Sequence, residues 1–389
     1  MTEKLFEISP YMKSCDALVL ACEAKGDHYL IELDQSCMFP EGGGQPSDIG
    51  TMNDAVVFHV SEQGGRILHE CEKAFLVGEK VHIEIDFEHR FRYMQLHTAE
   101  HIVSGVIYNE YKFMNVGFHM HDAVATIDIA GNIDREMAAH IEKLANKAVW
   151  DNLTTEILYP EDMTKVEARK YPETNEPIRL VRIPGIDSCG CCGVHVMHSG
   201  EIGLIKLLSV EKHRGGTRMT LVCGEKALSD YAGKHETVMY NAARFSVKPE
   251  GLTAAIDKQA ADMEALKRKL YETTEKLYAF RCERIAAETT KNFSVVFEDG
   301  MSADELRRFA AKLSEKIGIA CVLTEDNGSL RYAFIADKAK TDFDLRPLTK
   351  DLNQAFSGKG GGKPEICQGF LNSGSKEEVQ KFLEEKLNG

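Results

Sequence analysis

The sequence lacks a surplus of positive charge. Its 389 residues include 47 lysines and arginines against 61 aspartates and glutamates, and the formal net charge is −14 at pH 7. An acidic balance of this size favours solubility and argues against a non-specific coat for nucleic acid. An RNA partner would therefore have to meet a local basic patch on an otherwise acidic chain.

Long apolar runs and an N-terminal secretory signal are also lacking. The longest apolar stretches, such as the one around Leu18, fall well short of the ~20 residues that span a bilayer. The first residues show no basic region followed by an apolar core. We therefore expect no membrane partner and a cytoplasmic location, where the eleven cysteines stay mostly reduced.

The pattern of apolar residues changes along the chain and predicts an α+β multidomain fold. Short β-rich segments separated by glycines predict a small β-barrel with a glycine-rich loop over residues 1–90. A helical pattern near Phe91, followed by strands, a second helix and further strands, predicts an α+β domain over residues 91–245. A linker and a long helix fill residues 246–290, and alternating strands and helices predict a separate α/β domain over residues 291–389.

Apolar residues recur every seven positions in the predicted long helix, at Ile256, Met263, Leu270 and Leu277. An amphipathic helix packed on its own domain accounts for this spacing, and so does a short coiled coil. The repeat slightly favours the coiled coil, which would mediate a homodimer or extend a tail.

Two segments carry side chains that bind metals. His97 and His101 are four positions apart on a predicted helix, so both imidazoles lie on one face. Further on, Cys191 and His195 stand in a glycine-containing run of potential ligands that packing alone does not explain. One pair from each segment gives four ligands of mixed nitrogen and sulfur type, which suits zinc.

Two other interpretations of these segments stay open. A structural zinc knuckle would use Cys189, Cys192, His195 and His198, but it leaves the helical histidine pair unexplained. The helical motif also fits the H-x-x-E-H pattern of inverted-motif zinc peptidases, in which Glu100 would be the general base. Those enzymes usually take a carboxylate as third ligand, whereas the second segment offers cysteine and histidine.

Three motifs, in order, resemble a known family. The segments Glu41–Asp48, His97–His101 and Cys191–His195 are similar to the editing part of alanyl-tRNA synthetases and still more to stand-alone alanyl-tRNA editing proteins. Residues 358–369 resemble the glycine-rich signature of the DHH-associated domain, which follows the editing domain in the long form of these proteins. Nothing resembles a synthetase's aminoacylation domain.

The resemblance implies a zinc-containing editing domain over residues 91–245 that hydrolyses the ester of Ser-tRNA or Gly-tRNA mischarged on alanine tRNA. Such editing is needed because a pocket shaped for alanine discriminates against serine or glycine by only about 1–3 kcal/mol. The family pattern assigns the Zn²⁺ ligands to His97, His101, Cys191 and His195. The sulfur ligand is less secure, since Cys189 and Cys192 are close in sequence. A non-catalytic tRNA-binding protein with a structural zinc is the competing class.

Further site residues follow from the motifs. Gln45 is a candidate catalytic residue whose amide reaches the ester, or else part of a tight barrel turn. Glu100 is a candidate general base, or else a solvated or supporting helix residue. The candidates for contact with substrate or tRNA are Gly43, Gly44, Phe118, His119, Arg214, Arg218, Lys359, Gly361 and Lys363. For the basic ones, an ordinary solvated loop is the alternative.

Overall fold

The computed structural model describes residues 2–160, 166–169, 179–326 and 328–388 and contains both helices and sheets. The chain divides into two compact units, Met1–Asn241 and Ala242–Gly389. The prediction of a mixed α+β multidomain fold is therefore confirmed in its general form. The finer boundaries predicted after residues 90, 245 and 290 stay a prediction.

The first unit begins with a closed β-barrel. Its elements in chain order are β1 (Glu3–Lys4), α1 (Leu5–Ile8), β2 (Ser14–Lys25), β3 (His28–Leu33), β4 (Gln35–Ser36), β5 (Gly50–Met52), β6 (Ala55–Gln63), β7 (Arg66–Cys71) and β8 (Lys80–Ile85). The barrel closes in the order β2-β3-β7-β6-β5-β8, and β1 pairs with β4 outside it. In β8 the apolar residues Val81, Ile83 and Ile85 are buried and the polar residues between them are exposed, as the two-residue period of a barrel strand requires.

Helices and two small sheets complete the first unit. Their elements are α2 (Phe87–Tyr111), β9 (Asn115–His121), β10 (Val124–Ile129), α3 (Arg135–Trp150), β11 (Glu156–Leu158), β12 (Leu180–Ile183), β13 (Asp187–Gly190), β14 (Ile205–His213), β15 (Gly216–Cys223) and α4 (Gly224–Arg244), the last of which crosses the unit boundary. One antiparallel sheet has the order β14-β15-β10-β9, and the other has the order β11-β12-β13.

The central element of the first unit is α2. It begins at Asp86, whose carboxylate accepts a hydrogen bond from the backbone N–H of His89 at 3.0 Å. It ends at Lys112, which has a left-handed φ of 58°. Most residues between Tyr93 and Ile107 are buried, so the helix is enclosed on nearly all sides. Side chains of α2 therefore meet the barrel and both sheets.

A buried ion pair joins α2 to the glycine-rich loop of the barrel. Arg90 is fully buried, and its guanidinium donates to both carboxylate oxygens of Asp48, with Nε–Oδ1 at 2.7 Å. The remaining donors reach the carbonyl of Pro10 at 2.9 Å and the carbonyl of Cys37 at 2.7 Å. Asp48 also accepts from the backbone N–H of Phe39 at 2.7 Å. The buried charges of Arg90 and Asp48 are thus balanced by each other and by hydrogen bonds within the protein.

The second unit is built on one mixed sheet. Its elements are α5 (Leu252–Glu288), β16 (Phe293–Asp299), α6 (Ala303–Ile317), β17 (Ile319–Asp326), β18 (Ser329–Ala336), α7 (Leu345–Ala355), β19 (Lys359–Lys363), β20 (Ile366–Leu371) and α8 (Lys376–Asn388). The strand order is β16-β17-β18-β20-β19, with only the β16–β17 pair parallel. One face of the sheet packs on α5 and α6, and the other packs on α7 and α8.

Within the described part of the chain, no helix is both long enough and apolar enough to cross a bilayer.

The buried ion pair predicts a large stability effect. Arg90→Leu should lower the free energy of unfolding of the first unit by about 3–5 kcal/mol, because it leaves the Asp48 carboxylate buried without its counter-charge. Urea denaturation followed by the fluorescence of Trp150, the sole tryptophan of the sequence, measures this change. Arg92→Leu is the matched control on the same helix, since Arg92 is exposed, and it should stay within about 0.5 kcal/mol. Equal stability of the two variants would contradict the assignment.

Candidate metal centre

Four side chains converge inside the first unit. One ligand atom each from His97, His101, Cys191 and His195 lies within 4.8 Å of the other three. The sulfur of Cys191 is 3.4 Å from Nε2 of His97 and 3.4 Å from Nε2 of His195. The three histidines are only 2–3% exposed. Three nitrogens and one sulfur at this spacing are the donor set that tetrahedral zinc sites use.

The structure therefore brings together the four residues predicted from the spacing of the two motifs. Cys189 is buried on β13 and Cys192 is exposed, and neither has its sulfur in the group. His198 is also outside the group, and its backbone N–H donates to Oε1 of Glu201 at 2.9 Å. The arrangement required for a knuckle of Cys189, Cys192, His195 and His198 is thus not the one observed.

The cysteine loop fits closely against the helix. A Cβ on Gly193 would lie 2.3 Å from Cε1 of His97, so only glycine lets the backbone pass this imidazole. Arg179 holds the same loop, because its Nη1 donates to the carbonyls of Cys191 at 2.8 Å and Gly193 at 2.9 Å. The sulfur is thereby fixed beside the helical histidines.

Hydrogen bonds orient the ring of His97. Its Nδ1 is 2.8 Å from Oε1 of Gln45, an acceptor, so Nδ1 carries the proton and Nε2 is left as the donor to a metal. Oε1 of Gln45 also accepts the backbone N–H of Val194 at 3.2 Å, which fixes the orientation of the amide.

The ring of His195 is oriented in the same way. Its Nδ1 is 3.2 Å from Oγ1 of Thr98. The Thr98 hydroxyl donates its proton to the carbonyl of Met94 at 2.8 Å, so it can only accept from His195. Nε2 of His195 is again left toward the sulfur of Cys191.

His101 differs because its partner is a carboxylate. Nδ1 of His101 is 2.9 Å from Oδ2 of Asp187, and Asp187 is also bound by Arg169. Burial alone would raise the pKa of Asp187, but its bonds to His101 and Arg169 lower it below the ordinary value. The carboxylate therefore stays ionised. Burial lowers the pKa of His101, yet its hydrogen bond to Asp187 and the adjacent Cys191 thiolate raise it well above the ordinary value.

The protonation states of the remaining ligands suit metal binding. Burial raises the pKa of the Cys191 thiol, but its electrostatic interactions with the neighbouring imidazoles and its hydrogen bond with His101 bring it well below the ordinary value. Burial lowers the pKa of His195 to about 3. Thiolate sulfur and neutral imidazole are the forms that coordinate a metal, and a cation bound by the group would displace the remaining proton from His101.

Glu100 lies beside the group but outside it. It is 4% exposed, and its Oε1 accepts from the Ser104 hydroxyl at 2.5 Å and from Nδ2 of Asn115 at 2.6 Å. Its other oxygen, Oε2, is 3.9 Å from Nε2 of His101. Oε1 of Glu100 is thus held by hydrogen bonds to protein side chains, and Oε2 lies on the side of the candidate metal ligands.

The glycine-rich loop reaches the site through Gln45 and Gly44. Gln45 is 1% exposed, and its oxygen is engaged by His97 and Val194 rather than turned toward an ester. Gly43 and Gly44 have left-handed φ values of 60° and 81°, and the carbonyl of Gly44 accepts the backbone N–H of Met120 at 3.2 Å. The oxygen of Gln45 therefore supports the site, and the contact of its amide with an ester stays a prediction.

Phe118 and His119 point in opposite directions from β9. The Phe118 ring is half-buried with its centroid 5.3 Å from that of His97. His119 is exposed and is not among the four converging side chains. Of the two predicted pocket residues, only Phe118 borders the site.

The predicted basic contacts lie in both units. In the first, Arg214 is exposed in the β14–β15 turn, and Arg218 forms a two-pronged ion pair with Asp128 at 2.6 and 2.7 Å. In the second, Lys359, Gly361 and Lys363 are all exposed on β19.

Several residues that support the ligands were not predicted from the sequence. Thr98 lies within the helical motif and Asp187 just before the cysteine run, so both were adjacent to a recognised signal. Arg179 and Arg169 stand in no motif, and only the folded chain shows that they bind the loop and the carboxylate.

Two family models match the chain. The model described as "Threonyl and Alanyl tRNA synthetase second additional domain" matches residues 178–218, which include Cys191 and His195. The model described as "DHHA1 domain" matches residues 290–389. The segment that contains two of the four converging side chains thus resembles an additional domain of threonyl- and alanyl-tRNA synthetases.

Relatives that match nearly the whole chain show which tRNA-related proteins it resembles. The chain is 26% identical to "Alanyl-tRNA editing protein AlaX-L" of Pyrococcus horikoshii, over 100% of this chain and 98% of that protein. It is 26% identical to "Alanyl-tRNA editing protein Aarsd1" of Danio rerio, over 97% and 96%. It is 30% identical to "Alanine--tRNA ligase" of Natronomonas pharaonis, over 95% of this chain and 42% of the ligase. The predicted resemblance to stand-alone alanyl-tRNA editing proteins is confirmed, and the chain spans less than half of the ligase.

The contact at Gly193 predicts a loss of metal affinity. Gly193→Ala should weaken zinc binding at least about tenfold, because the new methyl group displaces the imidazole of His97 or the cysteine loop. Competition with a chromophoric chelator measures this affinity. Gly233→Ala in α4, where a Cβ meets nothing within 4 Å, is the control and should bind zinc like the parent. An unchanged affinity in Gly193→Ala would show that the loop is not held as described.

Proposed function

We propose that the chain is a zinc-dependent aminoacyl-tRNA deacylase that acts in trans. Its substrate would be the ester of Ser-tRNA or Gly-tRNA formed on alanine tRNA, and its place of action the cytoplasm. The observation that carries the proposal is the buried group of His97, His101, Cys191 and His195 in a chain that resembles alanyl-tRNA editing proteins over its full length.

Zinc fits the donors on chemical grounds. Three imidazole nitrogens face one sulfur, and each imidazole already donates its other N–H to an acceptor, as metal-binding histidines do. A bound zinc ion would supply Lewis-acid chemistry, polarising a carbonyl oxygen or making a water more acidic. Four protein ligands fill a tetrahedral shell, so either one ligand gives way to substrate or the metal only positions groups.

Glu100 is the best-placed proton acceptor in the site. The bonds from Ser104 and Asn115 hold one of its oxygens and leave Oε2 directed at the ligand group. A buried carboxylate in this position can accept a proton from a water that attacks the ester. Gln45 would act indirectly, by holding His97, and Phe118 would form an apolar wall beside the same ring.

The tRNA would be held by local cations, since the chain as a whole is acidic. Arg214 is exposed in a turn of the first unit, while Arg218 is already bound to Asp128 and would contact a phosphate only alongside that pair. In the second unit, Lys359 and Lys363 flank the glycines of an exposed edge strand, where backbone can approach a phosphate closely.

A test of the deacylase uses Ser-, Gly- and Ala-charged alanine tRNA with zinc measured on the same sample. His101→Ala should lower the zinc content and abolish hydrolysis, because it removes a ligand. Glu100→Gln should keep zinc but lower kcat about 10²–10⁴-fold, as loss of a general base does. The control is His140→Ala, an exposed histidine of α3, which should retain both zinc and activity.

The outcomes separate the candidate functions. Release of serine or glycine with alanine spared supports the proposal and identifies the substrate. Zinc-loaded protein that binds tRNA but hydrolyses none of the three esters would support the non-catalytic alternative instead. Peptide cleavage lost in Glu100→Gln would support the peptidase. Full activity in metal-free His101→Ala would exclude a role for zinc.

We also propose that α5 forms a homodimer. One side of its second half packs through Tyr278 and Cys282 against α6. Another side exposes a stripe of large apolar side chains, each 47–68% exposed: Ile256, Met263, Leu266, Leu270, Leu277 and Phe280. A second copy of the helix would bury this stripe.

The dimer is tested by its molar mass. Leu266→Lys combined with Leu270→Lys should convert a dimer to a monomer in light scattering coupled to size-exclusion chromatography, because it places charges in the apolar stripe. Ala261→Lys, on the opposite side of α5, is the control and should leave the mass unchanged. A monomeric parent protein would refute the proposal.

A further inference from the structure

We infer that Asp187, anchored by Arg169, is a positioning residue for the metal centre. It would act through His101, holding the imidazole so that Nε2 points at the other three ligand atoms. The inference rests on the proposed metal centre and extends it, because it assigns part of the metal affinity to two residues outside the ligand set.

His101, Asp187 and Arg169 form a triad of side chains joined by hydrogen bonds and buried from solvent. His101 donates from Nδ1 to Oδ2 of Asp187 at 2.9 Å, and Arg169 donates from Nε to Oδ1 at 2.8 Å and from Nη2 to Oδ2 at 3.1 Å. The side chains of Asp187 and His101 are 1% and 3% exposed, and that of Arg169 is 6% exposed. An ionised carboxylate shielded in this way keeps a fixed direction.

Backbone packing places the carboxylate beside the helix. Gly105 lies one turn after His101 on α2, and a Cβ there would be 2.4 Å from the carbonyl oxygen of Ile186 and 2.7 Å from Cβ of Asp187. The Asn109 amide donates to the same Ile186 carbonyl at 2.8 Å. The start of β13 thus packs closely against α2, one turn after His101.

The three histidines are not held equally. The partners of His97 and His195 are a neutral amide and a neutral hydroxyl, whereas the partner of His101 is a charged carboxylate. A charge-assisted hydrogen bond is shorter and stronger, and it makes the opposite ring nitrogen a better donor to a metal. Among these contacts, the one to Asp187 should contribute most to affinity.

Asparagine at this position would disturb the triad in a defined way. Its one side-chain oxygen cannot satisfy both Arg169 and His101. If the oxygen faces Arg169, the amide N–H₂ faces Nδ1 of His101 and favours the tautomer with its proton on Nε2. That proton would occupy the nitrogen that has to bind the metal.

The experiment measures zinc affinity of the full chain by chelator competition, together with the visible spectrum of the cobalt(II)-loaded protein. Asp187→Asn should weaken zinc binding about 10–100-fold and alter the cobalt bands. Arg169→Gln leaves the carboxylate but removes its anchor, and should weaken binding by a smaller factor. Arg169→Lys should restore part of the loss, because it returns the charge without the two-pronged contact.

The control is Asp128→Asn, which breaks another two-pronged aspartate–arginine pair of the same unit, between β10 and β15. It should bind zinc like the parent. A purely structural role predicts that Asp187→Asn lowers the unfolding free energy of the metal-free protein and leaves zinc affinity and cobalt bands unchanged, which would overturn the inference. If Asp187→Asn does not fold, unchanged affinity in Arg169→Gln overturns it. Zinc affinity is measured independently of deacylation. The positioning role of Asp187 and the deacylase function can therefore be refuted separately.

Discussion

The buried pairing of Arg90 with Asp48 is the contact on which the site's arrangement depends. Asp48 ends the same loop segment that contains Gln45, and Arg90 lies two turns before His97 on α2. The ion pair therefore fixes the loop at one point of the helix, and the Gln45–His97 hydrogen bond fixes it at another. A loop fastened twice to one rigid helix cannot slide along it, so the imidazole keeps its direction.

The other two of the four converging residues come from a distant part of the chain. Bringing that part to α2 lowers the conformational entropy of the chain. Cys191 and His195 follow β13, far in sequence from α2. Bringing them to the helix closes a long loop, which the packing at Gly105 and the bonds from Arg179 help to offset. A metal bound by both segments would add a further cross-link that exists only in the folded chain.

Local patterns explain what could be predicted. The His97–His101 pair was found because helical geometry relates residues four apart, and the cysteine run because ligands interleaved with glycine are rare. The supporting contacts were not found, since Arg169 reaches Asp187 and Arg179 reaches Cys191 through tertiary folding that no spacing records. The motif around Gln45 was recognised, but the hydrogen bond of its buried amide oxygen to His97 could not be predicted from spacing.

The bond between Gln45 and His97 has a thermodynamic consequence for the barrel. If a metal binds at the centre, docking of the loop and occupation of the centre would share a coupling free energy through this hydrogen bond. Coupling of this kind is reciprocal: whatever factor the docked loop contributes to metal affinity, the metal returns to the docking equilibrium. The barrel would in this sense be an effector of the metal centre, and the metal would be an effector of the barrel.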